Sequence, residues 1–193
     1  YEMTSSLVGS EMCIRDSDGT VLATQANMDK LDSRIGAFDD TVRDAIKGKT
    51  FDATDKGFLA SGKKTGNIKI GLSGECVNGW ASAPTQSVVY SSCHDNYTLY
   101  DKLVSSLYPD EKDFRKRHAN LVEMTKLNAA TIFSAQGMTF FLAGEEFCRS
   151  KDGDENSFKS PATLNMIDWE SVNNYSDVVA VSYTHLRAHE TRR

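Results

Sequence analysis

The sequence has no Cys-x-x-Cys pair, and its four cysteines follow no spacing that would make a zinc site. Only Cys76, Cys93 and Cys148 lie away from the N-terminus, and an odd number does not build a disulfide framework. No stretch of about 18 apolar residues occurs, so no segment reads as a membrane-spanning helix. Internal repeats and low-complexity tracts are absent. Positive charge is in deficit: 22 Lys and Arg stand against 27 Asp and Glu, a net charge of −5, which argues against a nucleic-acid partner. The 193 residues and 25% charged content are otherwise those of an ordinary globular domain with room for one core.

The two ends do not fit that picture. Residues 181–191 read VSYTHLRAHET, a His- and Arg-bearing tail on an acidic chain; composition alone would suggest nucleic-acid or metal binding there. The stretch closely resembles the translation of a transposase-type sequencing adapter, V-S-Y-T-H-L-R-A-H-E, whose last two bases also fix Thr191. The complementary strand of the same oligonucleotide translates as L-V-G-S-E-M-C-I-R-D, which is residues 7–16. One oligonucleotide read from both strands accounts for both ends. Residues 1–17 and 180–193 are therefore expected to be adapter-derived and are set aside from fold reasoning. Glu11, Cys13, His185 and His189 lose their functional weight with them. The remaining segment, 18–179, keeps a net charge of −5, because as many basic as acidic residues are removed. The native N-terminus is expected upstream, so localisation is not read from this sequence.

Within that segment, RIGAF at 34–38 reads as extended. Asp39 and Asp40 then offer an N-cap to TVRDAIKG, with Val42, Ala45 and Ile46 on one helical face and Gly48 as terminator. Residues 56–79 are rich in Gly, Ser, Lys and Asn and read as surface loop with room for one short helix. SVVYSS at 87–92 suits a buried strand. A short helix is expected over 98–107, stopped at Tyr108-Pro109. A longer one is expected over 111–135, capped by Asp110, with Leu121, Met124, Leu127 and Ala130 recurring every third residue. GMTFFLAG at 137–144 is a second apolar run, and the polar stretch 145–161 suits a binding loop. Strand, helix, strand, with a polar segment after each strand, is the rhythm of an α/β fold whose βα loops carry chemistry.

Cys93-His94-Asp95 places reactive side chains at the end of the first apolar run. Geometry disfavours a Cys–His nucleophile pair, because adjacent side chains of a continuing strand point to opposite sides, which leaves Cys93 a small packed residue. A metal site would need partners at helical or hairpin spacing, and none is present. A calcium loop through Asp152, Asp154 and Asn156 fails as well. Ser157 stands where the turn glycine of an EF-hand belongs and Thr163 where its glutamate belongs, so a solvated loop is the better reading. Spacing alone leaves His94-Asp95 balanced between an active-site corner and a capping turn.

Five stretches shift that balance. FDDTVRDAIKG at 38–48, FDATDKGFLASG at 51–62, VVYSSCHDNYTLYDKL at 88–103, QGMTFFLAGEEFCRSKDGDENSFKSP at 136–161 and NMIDW at 165–169 follow one another in that order. Together they resemble the back half of the catalytic domain of type I pullulanases, starch-debranching enzymes of the α-amylase superfamily (glycoside hydrolase family 13). The third stretch is similar to that family's fourth signature region, and the run from Gly144 to Pro161 is the most specific to the debranching branch. Departures are Thr139, where the family usually has proline, and Phe158, where it usually has tyrosine; the latter lacks a hydroxyl near the substrate.

The resemblance implies an α/β fold, the C-terminal portion (about strands six to eight) of a (β/α)8 TIM barrel, incomplete in this chain. It implies a retaining hydrolase of α-1,6-glucosidic branch linkages in pullulan-, starch- or glycogen-type glucans. In such enzymes one aspartate attacks the anomeric carbon and a glutamate protonates the leaving oxygen. A second aspartate, preceded by histidine, binds sugar hydroxyls beside the scissile bond. By resemblance these are Asp95, as transition-state stabiliser, and His94, as substrate ligand, after the seventh strand. Asn156 and Arg149 are expected near the same pocket on the loop after the eighth. The nucleophile and the acid/base belong upstream, so the chain alone is expected to be inactive. No cofactor or metal is implied. The implied partner is an α-glucan, with neither nucleic acid nor membrane. The alternatives are isoamylase, glycogen debranching enzyme or α-amylase, or a non-catalytic carbohydrate-binding relative. A complete small domain of unrelated function survives only if the adapter match is rejected. An incomplete barrel is also expected to leave apolar sheet edge uncovered.

Overall fold

The computed structural model describes residues 24–190. The expected adapter segment 1–17, with Glu11 and Cys13, lies outside the described residues, as do residues 191–193 and the side chain of His189. Three short strands, β1 (Ala37–Phe38), β2 (Ser87–Val89) and β3 (Met138–Thr139), form a parallel sheet in that order. Ala37 and Phe38 pair with Ser87 and Val88, and Val88 and Val89 with Met138 and Thr139. Parallel neighbours require crossover connections. Helices α1 (Asp40–Lys47), α2 (Phe58–Ser61) and α3 (Thr65–Leu72) make the first, and α4 (Leu99–Leu107) and α5 (Ala119–Phe133) the second. The helices α6 (Ala162–Asn165), α7 (Ser171–Asn174) and α8 (Ser176–Glu190) follow β3.

Helix α1 begins where the sequence predicts. The Asp39 carboxylate accepts from Val42 N at 2.9 Å, satisfying an orphan donor of the first turn, and Gly48 ends the helix at φ 98°. Val42, Ala45 and Ile46 are buried in one apolar cluster with Val89, Leu103, Leu121, Ile132 and Val178. Helix α3 approaches α1 closely because residue 71 is glycine; a Cβ there would lie 2.3 Å from Val42 Cγ2.

The helices cover one face of the sheet only. Ala37, Ser87 and Val89 are buried on that face, where Thr139 on the edge strand is exposed, whereas Phe38 and Val88 on the other are half-buried and Met138 is 47% exposed. Just past the strands, the Tyr90 and Phe140 rings join Phe38 on the open face in edge-to-face contacts of 5.0 and 5.5 Å. Among the described residues neither β1 nor β3 has a strand on its outer side.

Two expectations are corrected. The stretch 56–79 holds two helices, α2 and α3, which bury Leu59 and Ile68; its glycine content allows close packing and does not mark it as loop. The helix expected over 111–135 covers only Ala119–Phe133. Upstream of it, side chains capture backbone donors that a helix would use: the Glu111 carboxylate accepts from Lys112 N and Asp113 N, and that of Asp113 from Arg115 N. The expected start at Asp110 is thus replaced by turns, and His118 N donates instead to the Tyr100 hydroxyl at 3.1 Å.

Candidate functional site

Strand β2 ends at Val89, and residues 90–98 form the loop at its C-terminal end. Tyr90, Ser91 and Ser92 are buried, Cys93 is half-buried, and His94 and Asp95 are exposed. The two form an adjacent pair, His94 Nε2 lying 3.4 Å from Asp95 Oδ2, with side chains 60% and 47% exposed. Asn96, at φ 61°, turns the chain behind them. Because the strand does not continue through Cys93, strand alternation does not govern its direction. Its thiol instead points to the Asp95 carbonyl oxygen at 3.8 Å.

Beneath the pair sits a buried polar layer. Glu145, which follows β3, is 4% exposed and accepts from Ser91 Oγ and Asn128 Nδ2, each at 2.8 Å, and from Ser92 Oγ. Burial raises its carboxyl to about 7, against the opposing pull of these donors and of the Lys47 charge. Burial in turn lowers Lys47 to about 8, with Arg43 acting the same way. The Lys47 ammonium reaches the Tyr97 carbonyl at 3.4 Å, so both groups support the loop that carries His94 and Asp95.

Lys151 joins that loop to the one after β3. Its buried ammonium donates to His94 O at 2.7 Å and to Ser157 Oγ at 2.8 Å. Its backbone N–H and the Ser150 hydroxyl both bond the buried carboxylate of Asp101, at 2.7 and 2.5 Å. Asp101 lies in the first turn of α4, which Thr98 caps through Asp101 N at 3.1 Å. Ser157 Oγ continues the chain to Asn165 Oδ1 at 2.9 Å. Every link is buried or half-buried, where a hydrogen bond is costly to lose.

The structure therefore brings His94, Asp95 and the Asn156 segment into one connected unit, through Lys151 and Ser157. Asn156 is exposed; its backbone N–H is held by the Asp154 carboxylate at 2.8 Å. Arg149 is half-buried, with Nη1 on Ala143 O at 3.1 Å and Nη2 on Asn165 O, so its guanidinium braces the loop. Phe158 is 72% exposed, with the Lys159 ammonium 5.1 Å from its ring centre. Asp152 and Asp154 are engaged within the protein, by Arg115 at 2.7 Å and by Ser160 Oγ at 2.5 Å. Sequence reading missed Lys151, Asp101, Glu145 and Asn128. The signal for Lys151 is slight: it stands directly before the acidic stretch Asp152–Glu155, between two other basic residues, Arg149 and Lys159. The clustering of Glu145 with two serines and an asparagine is long-range and left no local mark.

A parallel α/β segment with functional side chains on the loops after its strands is the arrangement of α/β enzymes. Comparison with known proteins gives the kind. The chain is 40% identical over 143 residues to the pullulanase of Bacillus subtilis (strain 168), a match covering 70% of this chain and 19% of that protein. The crystal structure of apo pullulanase from Paenibacillus barengoltzii matches it with a TM-score of 0.78 at 35% identity, over 89% of this chain and 26% of that one. The same enzyme in complex with maltohexaose and alpha-cyclodextrin gives 0.77 at 36% identity, again over 89% and 26%. No protein-family profile matches. The chain is thus similar to pullulanases in sequence and fold over most of its own length, and it spans about a fifth of the length of the Bacillus relative.

Proposed function

We propose that residues 18–179 form the part of a starch-debranching glycoside hydrolase that holds the sugar beside the scissile α-1,6 bond, and that the chain alone does not cleave it. One observation carries the reading: an exposed His–Asp pair stands at the C-terminal end of a parallel strand whose sheet is helix-covered on one face and open on the other. Sheets of purely parallel strands are normally buried on both faces. The aromatic face, where Phe38 and Phe140 are half-buried and no helix covers Met138, and the two edges without a neighbouring strand among the described residues accord with a piece of a (β/α)8 barrel, in which β1, β2 and β3 are about strands six to eight.

In this reading Asp95 is the transition-state stabiliser. Its carboxylate accepts short hydrogen bonds from sugar hydroxyls and offsets the positive charge developing at the anomeric carbon. His94 donates to a neighbouring hydroxyl and helps hold the ring distorted. Asn156 and Arg149 bind substrate from the loop after β3, Arg149 as a charge fixed by its two carbonyl contacts. The nucleophile and the acid/base are supplied upstream, and the ligand is an α-glucan.

Helix α8 runs through residue 180 unbroken, so its backbone marks no boundary there, and what favours the adapter reading of residues 180–193 is a side chain. Ser182, one turn beyond the buried Val178, is 1% exposed, and its hydroxyl has no hydrogen-bond partner. A helix face shaped to pack there would carry an apolar residue. The activity claim is tested by incubating the purified chain with pullulan and measuring reducing ends: none above background is expected, and sustained release would overturn it.

A further inference from the structure

A second recess lies away from the His94–Asp95 pair, between the turns preceding α5 and the segment from α6 to α7. Its volume is about 720 Å³, within the range of roughly 300–1,000 Å³ typical of small-molecule sites. Trp169 lines it with 68% of its surface exposed, and Met166 adds a side chain 64% exposed. The indole leans on the buried Phe147 ring, with centroids 6.0 Å apart and planes tilted by 47°, so the core backs it while much of its surface faces the recess.

The polar groups around it are held in place, and both signs of charge are present. Arg115 is locked by Asp152 through two contacts at 2.7 and 3.1 Å, and Arg117 by Asp177 through two at 3.1 and 3.2 Å. Asp168 accepts from Glu170 N at 3.1 Å and Ser171 Oγ at 2.9 Å, which fixes its carboxylate on the rim. Arg115 and Arg117 are each matched to an aspartate, and Arg149 stands on the same wall as the carboxylates of Asp168 and Glu170, so no large excess of either sign marks the recess for an anion or a cation. A bare indole surrounded by fixed donors and acceptors suits a neutral polyhydroxyl ring, whose C–H face stacks on the aromatic while its hydroxyls bond sideways.

We propose that this recess is a glucan-binding subsite built on Trp169, separate from the His94–Asp95 corner. The identity of the ligand as an α-glucan rests on the function proposed above. Arg149 connects the two places: it lines the recess, and its guanidinium bonds the Asn165 carbonyl, while the Asn165 side chain meets Ser157 beside Asn156. A glucan chain bound at the corner could be gripped again here, away from the cleaved bond.

Calorimetric titration of the full 193-residue chain with maltohexaose tests this, with cellohexaose as the β-linked control and circular dichroism to check that each variant is folded. The expected result is saturable binding of maltohexaose, weakened about tenfold or more by Trp169→Ala and largely kept by Trp169→Phe. Binding that Trp169→Ala leaves unchanged overturns the subsite, as does an absence of binding to the folded chain. Binding lost in His94→Ala but kept in Trp169→Ala also overturns it, yet leaves the reading of the His94–Asp95 corner standing. Equal binding of cellohexaose would reject the α-glucan assignment.

Discussion

The buried ammonium of Lys151 donates to the backbone carbonyl of His94 at 2.7 Å, so the loop after β3 fixes the loop after β2 at the more exposed member of the His94–Asp95 pair. The same ammonium bonds Ser157, next to Asn156, and the carboxylate of Asp101 holds the Lys151 backbone from below. One lysine thereby sets the spacing between two loops that arise about 50 residues apart.

Lys151→Met keeps most of the side-chain volume and removes the ammonium. It leaves the His94 carbonyl and the Ser157 hydroxyl without that donor in a site closed to water. The expected cost is about 2–4 kcal/mol in urea unfolding. Lys151→Arg is expected to recover only part of it, because a planar fork does not fit a site shaped for a point charge. Wild-type stability in Lys151→Met would show that the two loops are held apart by packing alone.

Stability is expected to pass through a minimum near pH 7–8. Glu145 and Glu75 each titrate at about 7 in the fold, raised chiefly by burial, with Asp39 adding to the rise at Glu75. Unfolded, they lose their protons near 4.5, so between 4.5 and 7 the folded state holds more protons and stability falls as pH rises. Lys47 has the opposite sign. Folded it deprotonates at about 8, and unfolded near 10.5, so its contribution to stability rises with pH across that interval, opposed above pH 9 by Cys148, whose thiol burial pushes up from 9 to about 12. The surface carboxylates of Glu111 and Asp177, drawn to about 2 by Lys116 and Lys126, act below this window. Denaturant titrations from pH 4.5 to 10.5 measure the profile, and Glu145→Gln should flatten its acidic limb. A curve rising steadily from pH 4.5 to 7 would contradict the buried-carboxyl account.

Two glycines in α3 should respond in opposite directions to alanine. At position 71 the new methyl meets Val42 at 2.3 Å, and overpacking is expected to cost about 1–3 kcal/mol. At position 66 nothing lies within 4 Å of the added carbon, and the substitution should stabilise by roughly 0.5 kcal/mol through helix propensity. Thermal unfolding of the pair checks whether α3 docks on α1 as described.

Ser182→Ala removes a buried hydroxyl that has no partner, and a gain of roughly 1 kcal/mol is expected. A loss would mean that the hydroxyl is satisfied, and the support that Ser182 lends to the adapter reading would disappear.

Much of this was legible in the sequence where the signal is local. Asp39 announces the start of α1 and Gly48 its end, α4 spans Leu99–Leu107 against the expected 98–107, and the two apolar runs mark β2 and β3. The start of α5 was not legible, because Glu111 and Asp113 are as compatible with a helix N-terminus as with the turns they in fact stabilise. Helices α2 and α3 were hidden for a related reason: glycines that suggest loop are here the small residues of a tight helix contact. At the site, His94 and Asp95 stood out as adjacent functional types. Lys151, Asp101 and Glu145 act through partners distant in sequence, and only the fold brings those together.

The central claim is that this segment supplies a working sugar-binding corner whose chemistry is completed by groups upstream of it. The most direct test replaces the matching part of the Bacillus subtilis pullulanase with residues 18–179 of this chain and measures pullulan hydrolysis. The expected result is debranching activity in the grafted enzyme, lowered by about a hundredfold or more in Asp95→Asn, as for loss of a charge that acts in the transition state. A folded graft without activity, or one that Asp95→Asn leaves unimpaired, would contradict the account.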